Sequence, residues 1–487
     1  MKKNALILFI GCLLMTCGGK PDRTYWQLSQ QPAIFPDYTN ITIPCNIAPL
    51  NFQVRDSAKI SVTVKIIGTN SYTFKSRSGL VQFPEKQWKK MMEAEKGNVL
   101  DVLLTVTKGK DDCGYQSFTW TIAPEPIDKC LSYRLIEPAY EVWNMLRIEE
   151  RNLENFKTRL LSDNNITEHT CINCHISNHA DMPATFMHIR GKQGGTVYAR
   201  DGRIRKIDTK TDRTSGAAVY GEISNNGRFG VFTTAEIIPI LHSIRNERLE
   251  VFDHRSDLII IDFENGTVGN SPLISGEACL ETFPCFSADN RTVYFCRTEN
   301  MPQPDNTRAI RYNLYAVDFD SVTGNLGDTL RLVFDAASLG KSVSFPKCSP
   351  DGKYLLMTVS DYGTFPVWHP ETDLWMLNLS GGQVDRMETT NDRFSDSYHS
   401  WSGNSRWIVF ASKRDDRVYG RPYFAYVNED GTTTKAFVLP QKNPEYYRQT
   451  FKSFNIPELY NIPEIYDAHR IQSLYRKEKA ESFKYKN

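Results

Sequence analysis

Hydrophobic and polar residues alternate in short runs along the first part of the chain. The stretch KISVTVKII places apolar side chains at every second position from Ile60 to Ile66, and DVLLTV and SFTWTI repeat the pattern further on. Alternation of this kind, with turn residues between the runs, is typical of strands that bury one face. It predicts a small β-sandwich over residues 38–126, immunoglobulin-like in its strand content, which ends at a proline-containing linker.

The spacing of apolar residues changes in the next part of the chain. Leu146, Leu153, Phe156 and Leu160 follow one another at intervals near those of a helix, with charged residues between them. A stripe of apolar residues opposite a charged face is typical of an amphipathic helix. The spacing predicts a short helical connector over residues 127–185.

The second half of the chain contains a repeat that combines a strand, a tight turn and another strand. The four copies are ISNNGRFGVF at 223–232, FSADNRTVYF at 286–295, CSPDGKYLLM at 348–357 and WSGNSRWIVF at 401–410. Each copy is followed by a second pair of apolar runs, so that one unit supplies about four strands. That is the strand content of one blade of a β-propeller.

One copy of the repeat carries a family resemblance. The segment SPDGKY, from Ser349 to Tyr354, resembles the TolB-type β-propeller repeat, and the other three copies depart from it mainly at the turn. The resemblance implies a mainly β protein with a TolB-like propeller of five to six blades over residues 186–440. Residues 441–487 are then expected to form a tail that packs on the propeller or closes it.

The N-terminus has the features of an export signal. Two lysines precede a short apolar run that ends at Cys17, and two glycines follow. The run is too short for a good membrane-spanning helix and resembles a bacterial lipoprotein signal, although Thr16 stands where a smaller residue is usual. Residues 1–17 are therefore predicted to be a signal peptide with Cys17 as the lipidation site, and residues 18–37 a tether. The expected location is the bacterial cell envelope, with the lipid anchor as the only membrane contact.

The segment EHTCINCHISNH is the strongest chemical motif. Cys171, Cys174 and His175 have the CxxCH spacing of covalent haem c, in which two thiols bind the two vinyl groups of one porphyrin and the histidine binds iron. Met187 is the first candidate for the opposite axial ligand, followed by Met182 and then a neighbouring histidine. The motif predicts one covalently attached haem c, with His175 and Met187 as iron ligands.

The same segment is open to two other interpretations. Zinc could be held by Cys171 and Cys174 together with two of the histidines at positions 169, 175 and 179. A redox-active disulfide between the two cysteines is the other, although no thioredoxin-like pattern surrounds them.

Composition and charge narrow the classes of function. The chain has 487 residues and a formal net charge of +1, which argues against a nucleic-acid partner because such proteins usually carry a basic excess. The sequence contains no GxSxG motif and no HExxH motif, so it offers no hydrolytic constellation. Whether the protein is an enzyme is left open, with redox chemistry as the most that the motifs suggest.

Taken as a whole, the layout resembles Bacteroidetes-type lipoproteins that join a TolB-like propeller to a single CxxCH segment. The resemblance rests on Cys17, CINCH, the four repeats and the segment LPQKNPEYY. It implies an envelope lipoprotein with one haem c, which acts in electron transfer or binds an envelope protein or redox partner. The alternative is a non-redox propeller that binds protein or glycan, with the CxxC as a disulfide.

Overall fold

The computed structural model describes residues 23–55, 59–138, 145–178, 183–245, 247–299 and 306–486. The side chains of Asn173 and Cys174 lie outside the described part, as does the whole predicted signal segment with Cys17. The chain divides into two compact units. The first comprises residues 1–126, 154–156 and 440–450, and the second comprises residues 127–153, 157–439 and 451–487.

The first unit is built from short strands and two helices. In chain order its elements are β1 (Thr24–Gln27), β2 (Ile34–Phe35), β3 (Ile41–Pro44), β4 (Phe52–Val54), β5 (Ser61–Ile67), β6 (Ser71–Ser76), β7 (Leu80–Val81), α1 (Glu85–Ala94), β8 (Val99–Lys108), β9 (Asp111–Gly114), β10 (Phe118–Ala123) and α2 (Tyr446–Gln449). A seven-stranded sheet runs β1-β9-β8-β10-β3 and includes β5 and β6, and β2, β4 and β7 form a three-stranded sheet.

The alternation in the sequence appears in this unit as strands with one buried face. On β5 the side chains of Val62, Val64 and Ile66 are buried, as the sequence predicts. The tether prediction for residues 18–37 is wrong over its described part, because β1 pairs with β9 and β2 pairs with β4. The immunoglobulin-like sandwich stays a prediction.

The regular secondary structure of the second unit is almost entirely strand. In chain order its main elements are β11 (Cys130–Ile136), β12 (Leu146–Asn152), β13 (Thr158–Asp163), β14 (Ile172–Ser177), β15 (Thr185–Ile189), β16 (Gly195–Arg200), β17 (Arg203–Asp208), β18 (Val219–Ile223), β19 (Phe229–Leu241), β20 (Leu249–Asp262), β21 (Thr267–Gly269), β22 (Leu280–Phe286), β23 (Thr292–Thr298), β24 (Asn313–Phe319), β25 (Leu326–Phe334), β26 (Ser342–Cys348), β27 (Tyr354–Ser360), β28 (Asp373–Asn378), β29 (Val384–Arg386), β30 (Asp396–Trp401), β31 (Trp407–Ser412), β32 (Arg421–Tyr426), β33 (Phe437–Val438), β34 (Ser453–Tyr460), α3 (Ala468–Lys477), β35 (Glu481–Ser482) and β36 (Lys484–Tyr485).

Within the described residues, these strands form six sheets of four or five strands each. One edge strand of each sheet contacts the corresponding strand of the next sheet, in the order β14, β18, β22, β26, β30, β34 and back to β14. These six strands are called the inner strands below. A closed ring of antiparallel sheets is the arrangement of a β-propeller, so the expectation of a mainly β, propeller-like fold is confirmed.

One sheet of the ring is assembled from distant parts of the chain. The strands β11, β12 and β13 precede the other sheets, and β34 follows them, yet β34 pairs antiparallel with β11 from Cys130 opposite Tyr460 to Ile136 opposite Ser453. The short strands β35 and β36 add parallel pairs to the outer strands β17 and β21. Residues after 440 therefore supply strands to three sheets of the ring.

The predicted helical connector over residues 127–185 is wrong. The described part of this segment forms β11, β12, β13 and β14 and the start of β15, with one short 3₁₀ turn. On β12, Leu146 and Ile148 are buried while Arg147 and Glu149 between them are partly exposed, which is the alternation of a strand. The period of two in LRIEERN was present in the sequence, but aromatic and aliphatic residues further along imitate helical spacing.

The serine shared by the four repeats has a structural reason. Its hydroxyl donates a hydrogen bond of 2.5–2.8 Å to the Asn or Asp side chain two residues on. The same oxygen accepts a hydrogen bond of 3.0–3.2 Å from the backbone N–H five residues on. The four serines are Ser224, Ser287, Ser349 and Ser402. Each one fixes the tight turn that follows an inner strand.

Candidate functional site

Every inner strand carries a bulge near its middle. The breaks in pairing lie between Asn173 and Ile176, Val219 and Gly221, Thr282 and Cys285, Ser344 and Lys347, Ser397 and His399, and opposite Tyr133 on β34. A bulge leaves one or two residues unpaired and redirects their side chains. Four of these residues have a φ between 45° and 53°, namely Phe283, Phe345, Tyr398 and Ile456. Bulky residues rarely adopt this conformation, so the ring stores strain at one level of its axis.

Four successive inner strands place an aromatic ring at the bulge. The centroid distances are 5.3 Å from Tyr220 to Phe283, 4.4 Å from Phe283 to Phe345 and 4.7 Å from Phe345 to Tyr398. Phe365 packs against this row, 5.0 Å from Phe283. These five rings are called the aromatic wall below. The four bulge residues line a cavity of about 70 Å³, with room for roughly five water-sized groups.

A layer of charged side chains lies next to the aromatic wall, two residues further along three inner strands. The ammonium of Lys347 is 3.8 Å from Glu222 and 3.9 Å from Glu458. Burial raises the pKa of Glu458 to about 7 and also raises the pKa of Glu222. Burial opposes the charge on Lys347, but Glu458 and Glu222 together raise its pKa above the ordinary value. The three groups form a buried carboxylate–ammonium–carboxylate row.

Two histidines line the same cavity in different states. His399 has Nε2 3.1 Å from the carbonyl oxygen of Leu356, whereas neither ring nitrogen of His175 has a hydrogen bond of good geometry. Only 4% of His175 is exposed. Burial lowers the pKa of both imidazoles to about 3, assisted at His175 by the charge of Arg134. Both rings are therefore neutral at ordinary pH, and the backbone at Ser132 and Ile456 lies close to the His175 ring.

The predicted haem residues are spread along two strands. Cys171 precedes β14 as a partly exposed free thiol, and the backbone of Cys174 and His175 belongs to β14. Met187 lies on β15 in an apolar cluster with Ile172 and Leu474, as a core methionine does. His179 and Met182 lie outside the described residues.

The enclosure of His175 argues against a covalent haem, which stays a prediction. Cys171 precedes β14 and Cys174 lies at its bulge with its side chain outside the described residues, so the separation of the two thiols is not defined. His175 is buried beside a cavity of about 70 Å³, much smaller than a porphyrin. CINCH has instead the backbone conformation of an inner strand of the repeat, with the same break in pairing as β22.

The zinc and disulfide alternatives for the same segment stay predictions, because the side chain of Cys174 and the whole of His179 lie outside the described residues. Among the residues that are described, no group of three or more His, Cys, Asp or Glu side chains is placed to hold a metal ion. His169 is an exposed loop residue, and Cys171 is a free thiol.

The sequence reasoning missed the fact that CINCH begins a further copy of the repeat. Tyr220, Phe283, Phe345 and Tyr398 each stand four residues before a shared serine, and Cys174 stands four residues before Asn178. Asn178 takes the serine's place, since its Oδ1 accepts a hydrogen bond of 2.8 Å from the backbone N–H of Ala184. An alignment of CINCHISN with AAVYGEIS and LETFPCFS would have shown this register.

No protein-family model matches the chain, and neither does any curated protein. Among solved structures, the chain is similar to a periplasmic gluconolactonase of Pseudomonas aeruginosa, with 12% identity, a TM-score of 0.34 and coverage of 64% of this chain and 97% of the other. A putative 6-phosphogluconolactonase from Bacteroides fragilis has 12% identity, a TM-score of 0.31 and coverage of 65% and 97%. An auxiliary nutrient binding protein from Bacteroides thetaiotaomicron has 11% identity, a TM-score of 0.29 and coverage of 83% and 71%. At these scores the likeness carries no argument about activity.

The helices of the described residues are short. In the parts of the chain that the structure describes, no helix is both long and apolar enough to span a membrane.

Proposed function

We propose that the chain is a non-redox binding protein, in which a six-bladed propeller binds its ligand in the central cavity. The aromatic wall carries the proposal, because four successive inner strands turn a large ring towards one cavity. Strained backbone at bulky residues costs of order 1–3 kcal/mol each, and such residues cluster at ligand sites. A cavity with apolar walls and a few convergent polar groups is the usual form of a small-molecule site.

The polar groups at the cavity are suited to orienting a ligand. The neutral His175 ring brings one N–H donor and one acceptor nitrogen. Neither nitrogen has a hydrogen bond of good geometry, although the backbone at Ser132 and Ile456 lies close to the ring. Lys347 and Glu458 line the cavity and supply charge of both signs. The wall contributes contact area, and these side chains set the direction in which a polar ligand lies.

The proposed cellular location of the protein is the one that the sequence predicts. The proposal places the propeller and a small immunoglobulin-like sandwich at the cell envelope, anchored through a lipid on Cys17. Metabolic labelling with a palmitate analogue tests the anchor. Label in the wild-type chain that is lost in Cys17→Ala supports it, and label retained by that variant would overturn it.

Ligand binding is tested by isothermal titration calorimetry. The purified full chain is titrated with panels of monosaccharides, amino acids and small amines. Phe345→Leu is expected to weaken any binding that is seen, because Phe345 lines the cavity. Phe319→Leu is the matched control, since Phe319 is also buried but packs in a separate apolar cluster. Equal losses in both variants, or no binding in the three panels, would count against the cavity as a ligand site.

The haem prediction has its own test. The protein is expressed in a host with intact haem c attachment machinery, and its pyridine haemochrome spectrum is recorded. A colourless protein is expected, because His175 is enclosed. A c-type α band that disappears in Cys171→Ser would overturn the non-redox proposal.

A further inference from the structure

The charges beside the cavity favour a positive ligand. Lys347 carries one positive charge, and Glu222 and Glu458 on either side carry two negative charges when both are ionised. The two cavity histidines add no charge, since burial holds their pKa values near 3. Arg134 acts on His175 but is not among the residues that line the cavity. Glu458 and Lys347 line the cavity, whereas Glu222 contacts Lys347 without lining it. The row of three groups therefore carries one excess negative charge beside the cavity when both carboxylates are ionised.

The aromatic wall supports the same sign. Aromatic rings carry negative charge on their faces, and they attract ammonium groups within about 6 Å. Tyr220, Phe283, Phe345 and Tyr398 line one cavity. Several rings around one such cavity are the usual way in which proteins bind quaternary ammonium groups.

His175 supplies an independent observation. Its imidazole is buried and has no hydrogen-bond partner of good geometry, although it lines the cavity. A buried polar group without a partner costs about 1–3 kcal/mol, and a ligand that donates or accepts a hydrogen bond removes this cost. The polar tail of a ligand whose head lies among the aromatic rings would meet this side chain.

We infer that the central cavity binds a small organic cation of the alkylammonium class, with its charged head between the aromatic wall and the carboxylate of Glu458. This inference rests on the proposed function, because it names the ligand class of the same cavity. It predicts discrimination by charge between molecules of one shape.

Isothermal titration of the full chain with choline and with 3,3-dimethylbutan-1-ol tests the discrimination. The alcohol has the shape of choline with carbon in place of the charged nitrogen. Choline is expected to bind at least roughly tenfold more tightly, because only it gains the cation–π and carboxylate interactions. Equal binding of both would overturn the inference and keep the cavity as a ligand site. Binding of neither would count against the alkylammonium class, and the wider panels then decide whether the cavity binds anything.

Two pairs of variants locate the site. Phe283→Leu is expected to weaken choline binding several-fold, whereas Phe286→Leu, three residues along the same strand, packs in another cluster and leaves it unchanged. Glu458→Gln is expected to weaken it by roughly tenfold. Glu464→Gln is the control, because Glu464 is also buried with a raised pKa but does not line the cavity. Circular dichroism identifies variants that do not fold. If a control variant weakened choline binding as much as its cavity counterpart, or more, the inference would be overturned.

The affinity for choline also has an expected pH dependence. Glu458 faces Lys347 on β26 and Glu222 on β18, and burial raises its pKa to about 7. A bound cation favours the ionised carboxylate, so affinity should rise between about pH 6 and pH 8, with proton release on binding. Glu458→Gln should lose most of this rise. A fall in affinity over the same interval would contradict the placement of the cation.

Discussion

The inner strands β14 and β22 share one backbone and differ in their side chains. Both break pairing for two residues at the same level of the ring, at Cys174 and His175 on β14 and at Phe283 and Pro284 on β22. On β22 the unpaired aromatic ring packs against three neighbours, whereas on β14 the imidazole that follows is buried without a hydrogen bond of good geometry. A pattern that indicates haem attachment in the sequence is here one version of a structural repeat.

The two strands also differ in what they contribute to stability. Packing of Phe283 among aromatic neighbours offsets the cost of its positive φ. Burial of His175, whose ring nitrogens have no hydrogen bond of good geometry, costs up to about 1–3 kcal/mol, and the backbone at Ser132 and Ile456 offsets only part of it. Phe283 on β22 therefore stabilises the ring of sheets, whereas His175 on β14 contributes less to stability and could interact with a ligand.

The largest effect is expected from removal of an aromatic side chain. Phe283→Ala should lower the free energy of unfolding by about 3–5 kcal/mol, because it leaves a cavity among packed rings. His175→Ala should cost much less, since the lost packing is balanced by removal of a buried polar group without a hydrogen bond of good geometry. Urea titrations followed by tryptophan fluorescence measure both. Equal losses in the two variants would remove the proposed difference between β14 and β22.

The next effect is a dependence of stability on pH that comes from His175. Its pKa is about 3 in the folded protein against 6.5 ordinarily, so the unfolded chain binds the proton first. The stability from the neutral ring is complete above pH 6.5 and is lost as the pH falls towards 3, by up to about 1.4 kcal/mol per pH unit.

The variant His175→Leu isolates this contribution. Urea midpoints of wild type and variant are compared between about pH 4 and pH 7, where His399 titrates equally in both. The wild type should lose more stability than the variant on acidification. Parallel curves would mean that His175 is not held neutral by burial.

A smaller effect is expected at the turns that follow the inner strands. Ser349→Ala removes a hydroxyl that donates to Asp351 and accepts from the N–H of Tyr354, and should cost about 1–2 kcal/mol. Asn178→Ser, which introduces the serine of the other copies, should cost less than Asn178→Ala because it keeps a side-chain acceptor. Thermal melts compare the three. The same loss in both Asn178 variants would show that this turn differs from those of the repeat.

The smallest effect is expected at the first cysteine of CINCH. Cys171→Ser changes a partly exposed free thiol and should alter the free energy of unfolding by less than about 0.5 kcal/mol. The measurement is a urea titration under reducing and non-reducing conditions. A loss of several kcal/mol would indicate that this thiol is bonded in the native protein.

Much of the fold could be predicted because its signals are local. The period of two from Ile60 to Ile66 and the turns at the four serines depend on residues within a few positions of one another. The conformation of the CINCH segment could not be predicted, because it depends on residues that are distant in sequence. The partners that set its conformation are β15 and, in the neighbouring sheet, Ser132 and Ile456, which are remote in sequence. Residue types alone favoured the haem pattern, and only the register with Asn178 could have corrected it.

The pairing of β34 with β11 also constrains how the protein is made. The ring cannot close until residue 460 has left the ribosome, by which time β11 has waited with an unpaired edge for more than three hundred residues. At synthesis rates of about 5–20 residues per second, this delay is tens of seconds. Throughout this interval one edge of β11 lacks its native partner, so the growing chain exposes an unpaired strand edge that other chains could pair with.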